Sequence, residues 1–136
     1  MTSTLHWAAQ YIGLPYHPEG EGPDSFHCWA LVRYVSEKQF SRPLPEIDVP
    51  QSPLGQMQAI RDELSGSRWH KLQSPGEGAC VVLRRGRRPG HIGMWVETAT
   101  GGGVLHCIER LGVVFQPIDQ LAAHGYRISG IYQFKG

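Results

Sequence analysis

The sequence predicts an α+β domain with N-terminal helices packed on a mostly antiparallel sheet, and three observations lead there. Apolar residues recur at helical spacing as far as Leu64 and at strand spacing from Arg68 onward. The 17 glycines and 10 prolines fall between the periodic segments, which suits a loop-rich mixed fold better than a helical bundle. A chain of 136 residues supports one core and is too short for two ordinary ones, so 1–136 reads as a single domain.

Leu5 to Ile12 carries an apolar stripe behind Ser3 or Thr4 as cap, giving a short helix stopped by Gly13 and Pro15. After the loop LPYHPEGEGPDSF, Asp24 or Ser25 can cap a second helix within FHCWALVRYVSEKQF, Phe26 to Phe40. Cys28, Leu31, Val32, Val35 and Gln39 share one face there, which turns the thiol inward on the first turn and leaves Trp29 off that face. The segment SRPLPEIDVPQSP is an extended linker. It ends on Ser52 and Pro53, the cap and first position of a helix with Leu54, Met57, Ile60 or Arg61, and Leu64 on one side, closed by Gly66. Strands follow at Arg68 to Gln73, Ala79 to Arg84, His91 to Glu97, Gly103 to Ile108, Val113 to Gln116 and Arg127 to Phe134. Only Ile118 to Ala123 interrupts them, as a short helix after Pro117.

With 13 basic and 12 acidic side chains, the net charge of +1 gives no global attraction to nucleic acid or an anionic membrane, and neither is expected as a partner. The start MTSTLHWAAQYIG has no Lys or Arg ahead of an apolar core, and no apolar run approaches membrane-spanning length. No signal peptide or anchor is therefore expected. Three cysteines, an odd number, argue against a disulfide framework and for synthesis in the reducing cytoplasm.

Cys28 at a helix start meets unpaired N–H groups that favour thiolate, the reactive form. In HIGMWVE, alternation places His91, Gly93 and Trp95 on one face; in GVLHCIE it places Val104, His106 and Ile108 together, opposite Leu105 and Cys107. If the two strands form a hairpin, the imidazoles can touch. His91 can then take the Cys28 proton while His106 holds the other ring nitrogen, as the third member of a triad does.

This order, Cys at a helix start, then HIGMWV, then LHC ahead of Gly112-Val113-Val114, resembles the NlpC-type cysteine peptidases, papain-like enzymes that cut bonds in bacterial cell-wall stem peptides. CWALVRYV followed by PLPEID resembles especially the branch found in bacteriophage tail-assembly proteins, and the likeness runs from Ile12-Gly13-Leu14-Pro15-Tyr16 to Gly130-Ile131-Tyr132. The resemblance implies a papain-like NlpC-type fold and a hydrolase without cofactor or metal. Its catalytic residues would be Cys28 as nucleophile, His91 as base and His106 as third polar residue. Tyr16 matches a family tyrosine near the nucleophile that binds substrate or, with the Cys28 backbone N–H, helps stabilise the oxyanion. A peptidoglycan stem peptide is the implied substrate, with phage tail proteins as possible partners and association with a virion as the route to the wall.

Two departures from the family pattern matter. His27 and Trp29 flank the cysteine where Asp and Ser are usual, and Gly78-Ala79 replaces a Gly-Asp pair. Both flanking residues are candidates for contact with substrate. In cell-wall enzymes the missing acid helps bind the free amine of the stem peptide, so His27 also favours an alternative: a structural tail-assembly protein that keeps the peptidase fold. A zinc site from His27, Cys28, His91, His106 and Cys107 is the chemical competitor, weakened by the lack of close ligand pairs and by alternation, which turns Cys107 from His106. Cys80 and Cys107 read as core. RRGRRPG, the basic loop Arg84 to Arg88, reads first as a solvated hairpin turn, and otherwise as a grip for the carboxylates of an acidic peptide or for nucleic acid.

Overall fold

The computed structural model describes residues 6–48, 50 and 52–136. Ser3 and Thr4, expected as caps, and linker positions 49 and 51 lie outside the described residues. The first element is a 3-10 helix, Trp7–Gln10, capped by His6, whose Nδ1 accepts from the Ala8 N–H at 3.2 Å. An α-helix was expected. Gly13, at φ 91°, stops the segment before a full α-helical nucleus can form.

Helix α1 spans Cys28–Phe40 and α2 spans Pro53–Leu64. The cap of α2 is the expected Ser52, which accepts from the Gly55 N–H at 3.1 Å, with Pro53 at the first position. The cap of α1 is His27 rather than Asp24 or Ser25, because its Nδ1 reaches the Ala30 N–H at 3.3 Å. Met57, Ile60 and Leu64 are the buried residues of α2, whereas Leu54, expected beside them, is 67% exposed on the first turn. Between the helices, residues 41–48 form no regular element, but Leu44 is buried and the Pro45 carbonyl accepts from the Trp29 indole N–H at 3.2 Å.

Among the described residues, six strands follow: β1 Trp69–Leu72, β2 Cys80–Arg85, β3 Arg88–Val96, β4 Gly103–Ile108, β5 Gly112–Pro117 and β6 Tyr126–Phe134. They form one antiparallel sheet in the order β1-β6-β2-β3-β4-β5. Helix α3, Ile118–Leu121, continues into a 3-10 turn over Ala122–His124 before β6. The architecture is the expected α+β arrangement of helices on an antiparallel sheet.

Period-two alternation divides the sheet between two cores. Ile92, Met94, Val96, Leu105 and Cys107 pack under α1 and α2, while Val81, Leu83, Trp95 and Val104 pack on the other side with Leu121 and Tyr126. At one end of the sheet the end of β2, the start of β3, the end of β4 and the start of β6 come together. The N-terminal segment crosses toward this end: Gly13 donates to the Val113 carbonyl and Val113 to the Leu14 carbonyl, both at 2.9 Å. Among the described residues, no helix is long and apolar enough to cross a membrane.

Leu105 is fully buried beneath α1, so Leu105→Ala is expected to cost about 2–5 kcal/mol in urea unfolding. Leu54→Ala should move the midpoint little. A comparable loss at both positions would contradict the assignment of the faces of α2.

Candidate active site

A cavity of about 580 Å³ opens at this end of the sheet, lined by Cys28, His91, Tyr16, Gln56, Cys107, Glu109, Arg85 and Tyr126 among others. Each arrives by a local cause. Phe26 donates to the Pro15 carbonyl at 3.1 Å and accepts from the His17 N–H at 3.0 Å, a bridge that sets Tyr16 beside the start of α1. The Tyr16 hydroxyl bonds to the Gln56 side chain on α2. His91 lies near the start of β3, and the adjacent strand β4 brings His106 alongside, with Gly93 paired to His106. A Cβ at Gly93 would fall 2.6 Å from Val104 Cγ1 and 2.9 Å from His106 Cβ, so glycine leaves the imidazoles room to meet diagonally.

They do meet. His106 Nδ1 lies 2.9 Å from His91 Nε2, with the rings edge to face. On its far side, His106 Nε2 lies 2.7 Å from Gln116 Oε1 on β5. Tyr126 stacks on His91 with 7° between the rings and 5.4 Å between centroids, and Arg85 lies 5.4 Å above the Tyr126 ring. His91 Nε2 is thus engaged by His106, which leaves Nδ1 as its second nitrogen.

Burial dominates the electrostatics. It pushes the Cys28 thiol up to about 11, against backbone hydrogen bonds from Ile92, Trp29 and Cys28 itself that lower it. The N–H groups at the helix start do act toward thiolate as expected, but burial outweighs them and the net shift is upward. Burial lowers His91 to about 3, helped by the charges of His106 and Arg85, and lowers His106 to about 4 against the hydrogen bond to Gln116. The resting pair is a neutral thiol and a neutral imidazole. Tyr16 is raised, chiefly by burial, with Glu109 and the two cysteines adding to the effect.

Of the expected site residues, Cys28, His91 and Tyr16 line the cavity, and His106 stands directly behind His91, fully buried. The other two point elsewhere. His27 is spent on the helix cap and on Glu21, whose Oε1 lies 3.3 Å from Nε2. Trp29 is 1% exposed and packs on Trp69, because the first turns of α1 are buried beyond the single face that the spacing suggested. Neither is among the described residues lining the cavity. Cys80 is core as expected; Cys107 is buried, donates to the Phe26 carbonyl at 3.3 Å and also borders the cavity. Among the described residues, no three His, Cys, Asp or Glu side chains are grouped to hold a metal ion. The basic loop is a tight turn at Gly86 and Arg87, and Arg85 reaches the cavity wall.

Gln116 and Tyr126 were not singled out in the sequence. Gln116 had a signal, since alternation in GVVFQP sets it on the same face as Val114 once the β4–β5 hairpin is registered. Tyr126 had none, because its place beside His91 depends on the distant pairing of β6 with β2.

No protein-family model matches the chain, and no curated protein sequence matches it. Solved structures do. NlpC1 from Trichomonas vaginalis superposes with a TM-score of 0.56 and 18% identity over 93% of this chain, which spans only 42% of that protein. The NlpC/p60 domain of the peptidoglycan hydrolase SagA gives 0.56 and 19%, covering 93% of this chain and 92% of that one. An N-acetylmuramoyl-L-alanine amidase from Bacteroides uniformis ATCC 8492 gives 0.52 and 13%, covering 95% and 97%. The chain therefore has the α+β, papain-like fold of NlpC/p60 domains.

The depressed histidines make stability depend on pH in a defined direction. Unfolded imidazoles titrate near 6.5, so below that value the unfolded chain binds more protons than the folded one. The stability they contribute is complete above pH 6.5 and is lost as pH falls through the folded values. The urea midpoint should fall between pH 7 and pH 4, and His91→Asn with His106→Asn should flatten that fall; an equal slope in the double variant would contradict the assignment.

Proposed function

We propose that the chain is a cysteine peptidase or amidase that hydrolyses amide bonds in peptidoglycan stem peptides. The observation that carries this is the shared cavity: a cysteine on the first turn of α1 and an imidazole whose Nε2 is backed by His106. The NlpC/p60 likeness adds the substrate class, since SagA is a peptidoglycan hydrolase and the Bacteroides uniformis protein a muramoyl-alanine amidase. In this reading His91 Nδ1 takes the Cys28 proton as the sulfur attacks the carbonyl carbon, because no resting thiolate is present. The oxyanion is stabilised by N–H groups at the start of α1 and by the Tyr16 hydroxyl. His91 then gives its proton to the leaving amine and activates the water that releases the acyl group.

We also propose association with a phage tail, after synthesis in the cytoplasm, on the strength of CWALVRYV and PLPEID. A second reading, a structural tail-assembly protein keeping the peptidase fold, is favoured by one observation. Cys28 is 5% exposed and its thiol is held protonated.

Two measurements decide between them. Cys28→Ala and His91→Ala should each reduce release of muropeptide fragments to background while circular dichroism stays native. In the hydrolase, alkylation of Cys28 by iodoacetamide at pH 7 should also slow at least about tenfold in His91→Ala, because the base is lost. A thiol that alkylates at the same rate with and without His91, in a protein that releases no fragments, identifies the scaffold.

A further inference from the structure

We propose that Gln116 is a positioning residue of this site: its amide oxygen sets the tautomer of His106 and, through it, that of His91, leaving His91 Nδ1 bare toward the cavity. The catalytic consequence rests on the reading of His91 as base; the hydrogen-bond assignment does not.

An amide oxygen accepts and cannot donate, so the 2.7 Å contact to Gln116 Oε1 places the proton of His106 on Nε2. A neutral imidazole carries one proton, so His106 Nδ1 is a lone pair and must accept from the group 2.9 Å away, His91 Nε2. That fixes the single proton of His91 on Nε2. The opposite arrangement keeps the same bond between the rings with its direction reversed: His106 Nδ1–H donates to His91 Nε2, and the His91 proton moves to Nδ1. A ring in that state cannot accept a proton from a thiol at Nδ1. The contact between the histidines does not distinguish the two states, whereas the acceptor at position 116 does.

The sheet explains why this residue reaches the pair. Val104 is paired with Gln116 and Gly93 with His106, so His91, His106 and Gln116 lie in a diagonal row on one face across three adjacent strands. Other ionisable groups near the rings are Tyr126 on β6, 5.4 Å from His91 and 5.3 Å from His106, Arg85 on β2 above Tyr126, and Cys28 across the cavity. Among the described residues, no carboxylate is hydrogen-bonded to either ring. An amide in this place orients His106 without the charge that would favour its imidazolium. A carboxylate would favour it, and a protonated His106 donates from Nδ1, forcing the His91 proton onto Nδ1.

The test uses histidine-labelled protein and imidazole 15N spectra of the wild type, Gln116→Leu and Gln116→Glu, alongside kinetics on muropeptides. Both wild-type rings should show the Nε2–H tautomer. Gln116→Leu should populate Nδ1–H on His91 and lower kcat at least about tenfold with KM changed less than about twofold. Gln116→Glu should shift the acidic limb of the pH–rate profile upward by about a unit or more, which loss of packing alone would not do. Should Gln116→Leu fail to fold, the wild-type spectrum and the Gln116→Glu profile decide. Nδ1–H on wild-type His91, unchanged tautomers in Gln116→Leu, or an unmoved profile in Gln116→Glu overturns the proposal. If the tautomers behave as stated but no variant or wild type cleaves muropeptides, the positioning role stands and only the hydrolase reading falls.

Discussion

The first two turns of α1 are covered almost all round, and the site inherits its properties from that burial. Cys28, Trp29, Ala30, Leu31, Val32 and Val35 all lie in the core, against Ile92, Met94 and Leu105 of the sheet. Seating the helix this deeply fixes the sulfur against the Ile92 backbone at the mouth of the cavity, and the same seating strips it of water. A reactive position and a reactive charge state are therefore in opposition here. Helix-start hydrogen bonds alone do not resolve it, so attack by this thiol, as proposed, would need a base acting during the step rather than an ion pair waiting beforehand.

The histidines answer to the same constraint. A fully buried His106 is neutral because desolvation of an imidazolium costs more than its bond to Gln116 returns. Neutral rings have one donor and one acceptor each, so a chain of them has direction, and its direction decides whether the His91 nitrogen not bonded to His106 is a lone pair or an N–H. Gly93 belongs to this arrangement although it carries no chemistry, since any side chain there would occupy the space in which the rings approach.

Much of this was legible beforehand, and the reasons differ by element. Strand positions followed from alternation, and the His91–His106 contact followed from assuming one hairpin, because period-two geometry turns register directly into facing. The Ser52–Pro53 helix start was legible because both residues have a physical reason to stand there. Three misreadings have other causes. Leu54 and Trp29 were assigned from helical spacing, which predicts a face but not how far tertiary contacts wrap around it. His27 was read through the family pattern as a residue facing substrate, whereas its Nδ1 is positioned to do what Asp or Ser does at a helix start. Tyr126 was invisible because pairing across 40 intervening positions, between Arg85 and Tyr126, leaves no local trace.

The His27 cap bears on how far fold likeness extends to substrate. An aspartate before the nucleophile can cap the helix and supply negative charge at its start. Here the capping function persists, with Nδ1 accepting from Ala30, while the negative charge beside the cap is that of Glu21, hydrogen-bonded to His27 and ion-paired with Arg33 at 3.8 Å. The fold is indifferent to that exchange because it requires only an acceptor for a free N–H. The cavity differs in this respect: Glu21 is not among the described residues that line it, and its carboxylate is Glu109, which acts on Tyr16. A helix start that needs only an acceptor therefore tolerates His27, while the charge lining the cavity is set by residues outside the helix, Glu109 and Arg85.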